Sequence, residues 1–285
     1  MPLNLPADLP DQVSCALRED IGSGDVTANI IPASRRAAAH VLCREQALLC
    51  GAPWFDETFR QLDVAVQVGW RFPEGAQIEA NSILCELTGP ARALLTGERT
   101  ALNFLQLLSA TATVTHRYVE ALRGTACQIL DTRKTIPGLR SAQKYAVRCG
   151  GGVNHRIGLY DLVLIKENHI AAAGGIGAAV ATARSQAPGI RVEVEAENLE
   201  QVRQALDAGS DIIMLDNFEP ELMRAAVALN RAHPRAALLE SSGGVTLQSI
   251  GAIAATGVDY ISVGSLTKNI EAIDLSMRFD TPANT

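Results

Sequence analysis

Ile190-Arg191-Val192-Glu193-Val194-Glu195, then Leu199, Val202 and Leu206 at helical spacing up to Gly209, then Ile212-Ile213-Met214-Leu215-Asp216, form the stretch on which the fold turns. Two continuous apolar runs flank an amphipathic segment. This is the pattern of a strand–helix–strand unit whose parallel strands are buried on both faces. Runs of the same kind recur at Cys127–Leu130, Leu162–Ile165, Ala237–Leu239 and Tyr260–Val263, six in all. The segments between them carry helix signals: Glu219-Pro220-Glu221 and Ser242 ahead of Thr246 at starts, Gly209 and Pro234 at ends. Six such runs, at or just below the count of a full eight-fold barrel, predict a parallel α/β barrel, complete or with fewer than eight strands.

The chain before Gly124 follows a different regime. From about residue 41 to 90 it is short, alternating and turn-punctuated (Val64–Val68, Phe72-Pro73-Glu74-Gly75, Ile83–Leu87), which predicts antiparallel strands and hairpins. The Pro73-Glu74-Gly75 turn is similar to those of biotinyl or lipoyl carrier modules. Such modules need a modifiable lysine at a hairpin tip, and residues 61–90 contain none. A small N-terminal α+β domain, sandwich-like, is the reading that remains. Residues 91–123 form a long amphipathic helical stretch, and Gly97 with the threonine-rich middle predicts a break into two helices. Arg99, on composition alone, reads as an exposed helix arginine. The expected domains are 1–110 and 111–270, with the tail 271–285 packing on the first.

Bulk numbers narrow the class. With 285 residues, 47% hydrophobic and 20% charged, the chain suits one large α/β domain plus a small one. Aromatics are only 4%, so the core must rest on Ala, Val, Ile and Leu. A pI near 5.4 and a net charge of -6 argue against a general nucleic-acid binder. No segment approaches the roughly 20 apolar residues needed to span a bilayer. Met1-Pro2-Leu3-Asn4-Leu5-Pro6-Ala7-Asp8 has no basic region followed by an apolar run, so no secretion signal is expected. The six cysteines include no CxxC pair and read as reduced thiols of a cytoplasmic protein, not a disulfide framework or zinc site.

Against that acidic background, Asp131 to His169 collects seven Lys and Arg (Arg133, Lys134, Arg140, Lys144, Arg148, Arg156, Lys166) and three acids (Asp131, Asp161, Glu167), with His155 and His169. Crowded cations repel, so an anion is expected among them. A solvated helix face accounts for Arg140, Lys144 and Arg148. It does not account for Arg133, Lys134, His155, Arg156 and Lys166, which fall at the ends of apolar runs or in glycine-rich turns. In parallel βα folds the site lies at the carboxyl ends of the strands. The residues after each run are Asp131-Thr132-Arg133-Lys134, Lys166-Glu167-Asn168-His169, Glu195, Asp216-Asn217, Glu240-Ser241-Ser242-Gly243-Gly244 and Gly264-Ser265. Arg offers a planar fork for carboxylate or phosphate, and Lys a compact point charge. Glu195 and Asp216 are hard oxygen ligands suited to Mg²⁺, or acceptors for sugar hydroxyls. Ser242-Gly243-Gly244 precedes an expected helix whose free N–H groups would suit a phosphate, and Ser262-Val263-Gly264-Ser265 offers a second such turn.

At these residues the chain resembles the quinolinate phosphoribosyltransferases (nicotinate-nucleotide pyrophosphorylases, carboxylating). The resemblance runs over nearly the whole chain. It includes Glu19-Asp20-Ile21-Gly22-Ser23-Gly24-Asp25, Gly97-Glu98-Arg99-Thr100, Asp131-Thr132-Arg133-Lys134-Thr135, Gly151-Gly152-Val153-Asn154-His155-Arg156, Leu164-Ile165-Lys166-Glu167-Asn168-His169, Val192-Glu193-Val194-Glu195, Met214-Leu215-Asp216-Asn217-Phe218 and Glu240-Ser241-Ser242-Gly243-Gly244. It implies a type II phosphoribosyltransferase architecture, an N-terminal α/β domain with an α/β barrel, assembled as a homodimer or a multiple of dimers. It implies that Arg99 reaches into the partner's site, which overturns the reading of that residue from composition. Arg133, His155, Arg156 and Lys166 would then bind the two quinolinate carboxylates. Thr132, Lys134, Glu195, Asp216, Ser242, Gly243, Gly244 and Gly264 would hold phosphoribosyl pyrophosphate and Mg²⁺, with His169 close by. Lys134, Glu195 and Asp216 are the candidate catalytic groups, Glu195 and Asp216 the metal ligands, directly or through water. The implied products are nicotinate mononucleotide, pyrophosphate and CO₂.

Other readings remain at this level. A related phosphoribosyltransferase could use the same pocket for nicotinate, although His155-Arg156 together with Lys166 favours a dicarboxylate. A barrel aldolase would use Lys166 or Lys134 as a Schiff-base amine. A non-catalytic anion-binding relative would keep the pocket without turnover.

Overall fold

Each of the six apolar runs forms a strand, and the strands lie parallel in one sheet. The computed structural model describes residues 3–280. In chain order its elements are α1 (Leu9–Ile21), β1 (Arg36–Cys43), β2 (Ala47–Leu48), α2 (Ala52–Leu62), β3 (Gln67–Trp70), β4 (Gln77–Ile78), β5 (Ser82–Pro90) and α3 (Ala91–Ala121). There follow β6 (Gln128–Leu130), α4 (Arg140–Cys149), β7 (Val163–Ile165), α5 (Glu167–Ala173), α6 (Ile176–Gln186), β8 (Val192–Ala196) and α7 (Leu199–Ala208). The last are β9 (Ile212–Asp216), α8 (Pro220–Ala232), β10 (Leu238–Ser242), α9 (Ile250–Ala254), β11 (Tyr260–Ser262), α10 (Ser265–Lys268) and β12 (Leu275–Phe279). Two compact units result. One holds the described parts of Met1–His116 and Thr267–Thr285 with Thr135–Gly151; the other holds Arg117–Lys134 and Gly152–Leu266.

In the first unit, β12, β1, β5 and β3 form an antiparallel sheet in that order. Burial alternates along β1, so Ala39, Val41 and Cys43 face the core. There they join Phe55 and Phe59 of α2, Leu94, Leu102 and Leu105 of α3, and Met277 of β12. The pairing of β12 with β1 places residues 275–279 in this sheet; residues 281–285 of the expected tail lie outside the described residues. Glu74, in the turn between β3 and β4, accepts hydrogen bonds from the backbone N–H of Gly51 (2.8 Å) and Ala52 (3.1 Å). It thereby supplies from outside the cap that Gly51, at the start of α2, has no side chain to give.

Helices α3 and α4 give three findings, two of them corrections. The stretch after β5 is one continuous helix of 31 residues, not two. Gly97 is an approach point: a Cβ there would lie 2.7 Å from the Phe59 ring and 2.8 Å from Leu62. The threonines do not break the helix, because Thr111, Thr113 and Thr115 donate to the carbonyls of Leu107, Ser109 and Thr111, four residues back. Secondly, α4 groups with the first unit by its contacts, and the change from one unit to the other falls inside α3 after His116. Thirdly, α4 is not a solvated basic face: Lys144 is 1% exposed and Gln143 is fully buried. Gln143 accepts from the Ile136 N–H (2.8 Å) and donates to the Thr267 carbonyl (2.8 Å), so this helix organises its neighbouring loops through buried polar groups.

The second unit is the barrel. Its sheet runs β7, β8, β9, β10, β11, β6, so the first strand in sequence pairs with the last, as ring closure requires. Between β6 and β7 the described strands do not close; the Leu130–Val153 bridge is the pairing found on that side of β6. Helix α7 starts where the Asn198 side chain accepts from the Gln201 N–H (3.0 Å) and ends at Gly209 in the left-handed region.

Candidate active site

The carboxyl ends of the barrel strands meet around a cleft of about 370 Å³. Of the expected site residues, Thr132, Arg133, Lys134, His155, Arg156, Lys166, Glu195, Asp216 and Ser242 line it. Asp131, Leu164, Met214, Glu240 and Ser262 complete the wall. The alignment follows from register, since Glu195, Met214 and Glu240 are successive partners across β8, β9 and β10.

The cleft separates its charges into two groups. Arg133 and Arg156 share one region, and Arg156 is pushed below its ordinary basicity by burial first and by the Arg133 charge second. Two guanidiniums held together at such a cost are relieved by an anion of more than one charge. Opposite in sign, Glu195 pairs with Lys166, and the Lys166 ammonium donates to its carboxylate. Burial pushes the Glu195 acid up; the bond from Lys166 opposes this, and the neighbouring Asp216 and Glu167 charges add to it. Asp216 is itself held by the Asn217 side chain, whose Nδ2 donates to it at 2.8 Å. Two carboxylates facing one cleft suit a hard divalent cation with oxygen ligands.

Three further acids order this wall, and the sequence reading gave none of them a role. Asp131 is fully buried and accepts from the Asn154 side chain (2.6 Å) and the His155 backbone N–H (2.9 Å), which fixes the segment carrying His155 and Arg156. Glu193 and Glu240 are also fully buried, and the His155 Nε2 lies 2.8 Å from the first and 3.5 Å from the second. One signal was available: Glu193 and Glu195 alternate with Val192 and Val194, so both acids face one side of β8. Beyond them, Asp161 accepts from the Ile157 (2.7 Å) and Gly158 (3.0 Å) N–H groups and shapes the loop after Arg156.

The remaining expected residues do not line the cleft. The His169 Nδ1 accepts from the Lys166 backbone N–H (3.0 Å), so this side chain caps the start of α5 and thereby orients Lys166. Gly243 lies in the left-handed region (φ 112°), and a Cβ there would fall 2.1 Å from the Asn217 Oδ1. The expected helix does not follow at once: α9 begins at Ile250 and is five residues long, so the Gly243-Gly244 turn is not a helix N-terminus. Gly264 packs on Lys134, its would-be Cβ 3.1 Å from the lysine Cδ. Arg99 is exposed on α3, in the first unit.

Comparison with known proteins places these features in a family. Residues 25–109 match the quinolinate phosphoribosyl transferase N-terminal domain, and residues 111–278 match its C-terminal domain. A probable nicotinate-nucleotide pyrophosphorylase [carboxylating] of Bacillus subtilis is 45% identical over 261 residues, 91% of this chain and 89% of that protein. The nicotinate-nucleotide pyrophosphorylase [carboxylating] of Homo sapiens is 38% identical over 276 residues, 96% of this chain and 92% of the relative. The structure of the nicotinate-nucleotide pyrophosphorylase from Francisella tularensis superposes with a TM-score of 0.93 at 48% identity, covering 98% of each chain. With both domains matched end to end and a cleft that gathers cations beside paired carboxylates, the chain belongs to the quinolinate phosphoribosyltransferase family.

Proposed function

We propose that this protein transfers the phosphoribosyl group of phosphoribosyl pyrophosphate to quinolinate with loss of CO₂, giving nicotinate mononucleotide and pyrophosphate for the synthesis of NAD. The observation that carries this reading is the convergence of Arg133, Arg156 and Lys166 on one cleft with Glu195 and Asp216. The family's curated relatives bear the name of this reaction.

In this reading Arg133, His155, Arg156 and Lys166 bind the quinolinate carboxylates. Lys134, Thr132 and Ser242 hold the phosphates, with the Gly243 and Gly264 turns packed behind them against Asn217 and Lys134, and Glu195 and Asp216 at the ribose. A pyridine nitrogen beside a carboxylate is a poor nucleophile, so the arginine pair accelerates the reaction mainly by fixing the ring in line with the sugar carbon. As the carbon–oxygen bond to pyrophosphate breaks, Lys134 offsets the charge gathering on the leaving group, and Glu195 or Asp216 supports the positive charge on the ribose. The ring nitrogen, once ribosylated, is cationic; the adjacent carboxylate departs as CO₂, and the electron pair left on carbon is held by that charge until protonated. The donor set of Glu195 and Asp216 fits Mg²⁺, which when bound supplies further charge neutralisation at the pyrophosphate.

The working assembly in this proposal is a homodimer, or a multiple of dimers, in which Arg99 completes the neighbouring site. A cytoplasmic setting suits six cysteines that are all free thiols and helices none of which, among the described residues, is long and apolar enough to cross a membrane. The test is release of pyrophosphate and CO₂ from quinolinate plus phosphoribosyl pyrophosphate, run beside nicotinate. Turnover of nicotinate alone would reject the assignment.

A further inference from the structure

His155 lines the cleft, yet its Nε2 is hydrogen-bonded to Glu193 and lies 3.5 Å from Glu240, two acids that water does not reach. Glu193 arrives from β8 and Glu240 from β10, both fully buried, and Asp131 holds the His155 backbone from the end of β6. Two carboxylates therefore face one imidazole, and a third holds its backbone. Glu193 Oε1 and both Glu240 oxygens have no hydrogen-bond partner. Burying acids in this way is costly unless each is paired or hydrogen-bonded. The partner that the Glu193 carboxylate takes is the His155 ring. From these contacts we propose that Glu193 and Glu240 are positioning residues, which keep a proton on the His155 Nε2 and anchor its ring in the cleft wall for capture of the carboxylate-bearing substrate.

The chemistry at each atom agrees. At 2.8 Å the contact between Nε2 and Glu193 Oε2 is an ordinary hydrogen bond with nitrogen donating, and a carboxylate acceptor there selects the tautomer. Burial first and the Glu193 charge second push the Glu240 acid well above the usual carboxylate range. The charged side chains nearest the cluster on the cleft side are Arg156, whose guanidinium feels Glu193, and Arg133. The two guanidiniums line the cleft beside an imidazole that Glu193 holds by one ring nitrogen. The inference rests on quinolinate being the ring bound here, but one of its tests does not.

Two variants and two readouts decide it. Glu193→Met removes the acceptor at similar volume, and Glu193→Gln restores a neutral one. The expected result is a rise of roughly tenfold or more in KM for quinolinate with Met and a partial return with Gln. KM for phosphoribosyl pyrophosphate should stay within about threefold. An unchanged quinolinate KM, or an equal rise in both KM values with a fall in the urea midpoint, would overturn the proposal in favour of a purely structural role. The second readout needs no substrate. Nitrogen NMR of the ligand-free protein should show the His155 proton on Nε2, and in Glu193→Met that preference should be lost. If wild type fails to turn over quinolinate while the NMR result holds, the functional assignment falls and the positioning role stands. A histidine with two carboxylates is also a metal-ligand set. A stoichiometric transition metal in the purified protein, lost in Glu240→Met, would therefore overturn the hydrogen-bonded account.

Discussion

Arg156 and Arg133 line the same cleft, where burial first and the Arg133 charge second make the Arg156 charge harder to hold. The pair is thus poised for a ligand that brings two negative charges. Arg133→Ala should weaken quinolinate binding by about 2–5 kcal/mol, the range for removing one partner of a desolvated charge pair. Titration calorimetry with quinolinate and with a benzene dicarboxylate reads this directly, and unchanged affinity would refute the dicarboxylate site.

Arg99 tests the shared site. Subunits carrying Arg99→Ala and subunits carrying Lys134→Ala should each be nearly inactive, yet mixing them should restore part of the turnover. A mixture no more active than its components would place Arg99 outside the partner's cleft.

Gly243 turns at φ 112° against Asn217, which in turn holds Asp216. Gly243→Ala combines a disfavoured backbone with a 2.1 Å clash, a cost of roughly 1–3 kcal/mol or displacement of Asn217. We expect a higher KM for phosphoribosyl pyrophosphate with little change for quinolinate, and steady-state kinetics separate the two.

Gly97 sets helix propensity against packing. Glycine inside a helix costs about 0.5–1 kcal/mol relative to alanine, so propensity alone makes Gly97→Ala stabilising. The added Cβ would stand 2.7 Å from Phe59, and overpacking of this kind costs about 1–3 kcal/mol. Packing wins, and the urea midpoint should fall. Adding Phe59→Leu should recover part of the loss.

Glu74 gives a pH test whose direction runs against habit. Burial raises its acid, although the Gly51 and Ala52 N–H groups, Cys50 and Tyr145 oppose the shift. An acid with a raised folded pKa costs stability as pH climbs from its unfolded value, about 4.3, to the folded one. Glu74→Gln should therefore gain on wild type between about pH 4 and that raised value, then run parallel. Urea unfolding at several pH values measures the gap, and a gap independent of pH would contradict the shift.

What the sequence disclosed depended on how each residue earns its place. The six barrel strands were legible because strands buried on both faces must be apolar throughout, and the residues after them became the cleft wall. The continuity of α3 was hidden, since Gly97 serves contact with Phe59 while composition reports only its flexibility. Lys144 was misread for a similar reason: spacing alone put it on the same basic face as Arg140 and Arg148. His169 stood in a motif with Lys166, and only coordinates reveal that it steadies the backbone and does not line the cleft. Glu193 sat unnoticed inside an apolar run, where one acid among valines looks incidental until its histidine partner is seen.

The alternation along β8 also has an evolutionary consequence. Glu193 and Glu195 point to one side of the strand, toward His155 and Lys166, while Val192, Val194 and Ala196 take the other. Inserting or deleting one residue here would exchange the two sets and put both acids among the helices. Lineages that diverge from this protein can therefore lengthen or shorten the loops around the barrel while β8 keeps its residue count, and drift in length will mark the tolerant segments.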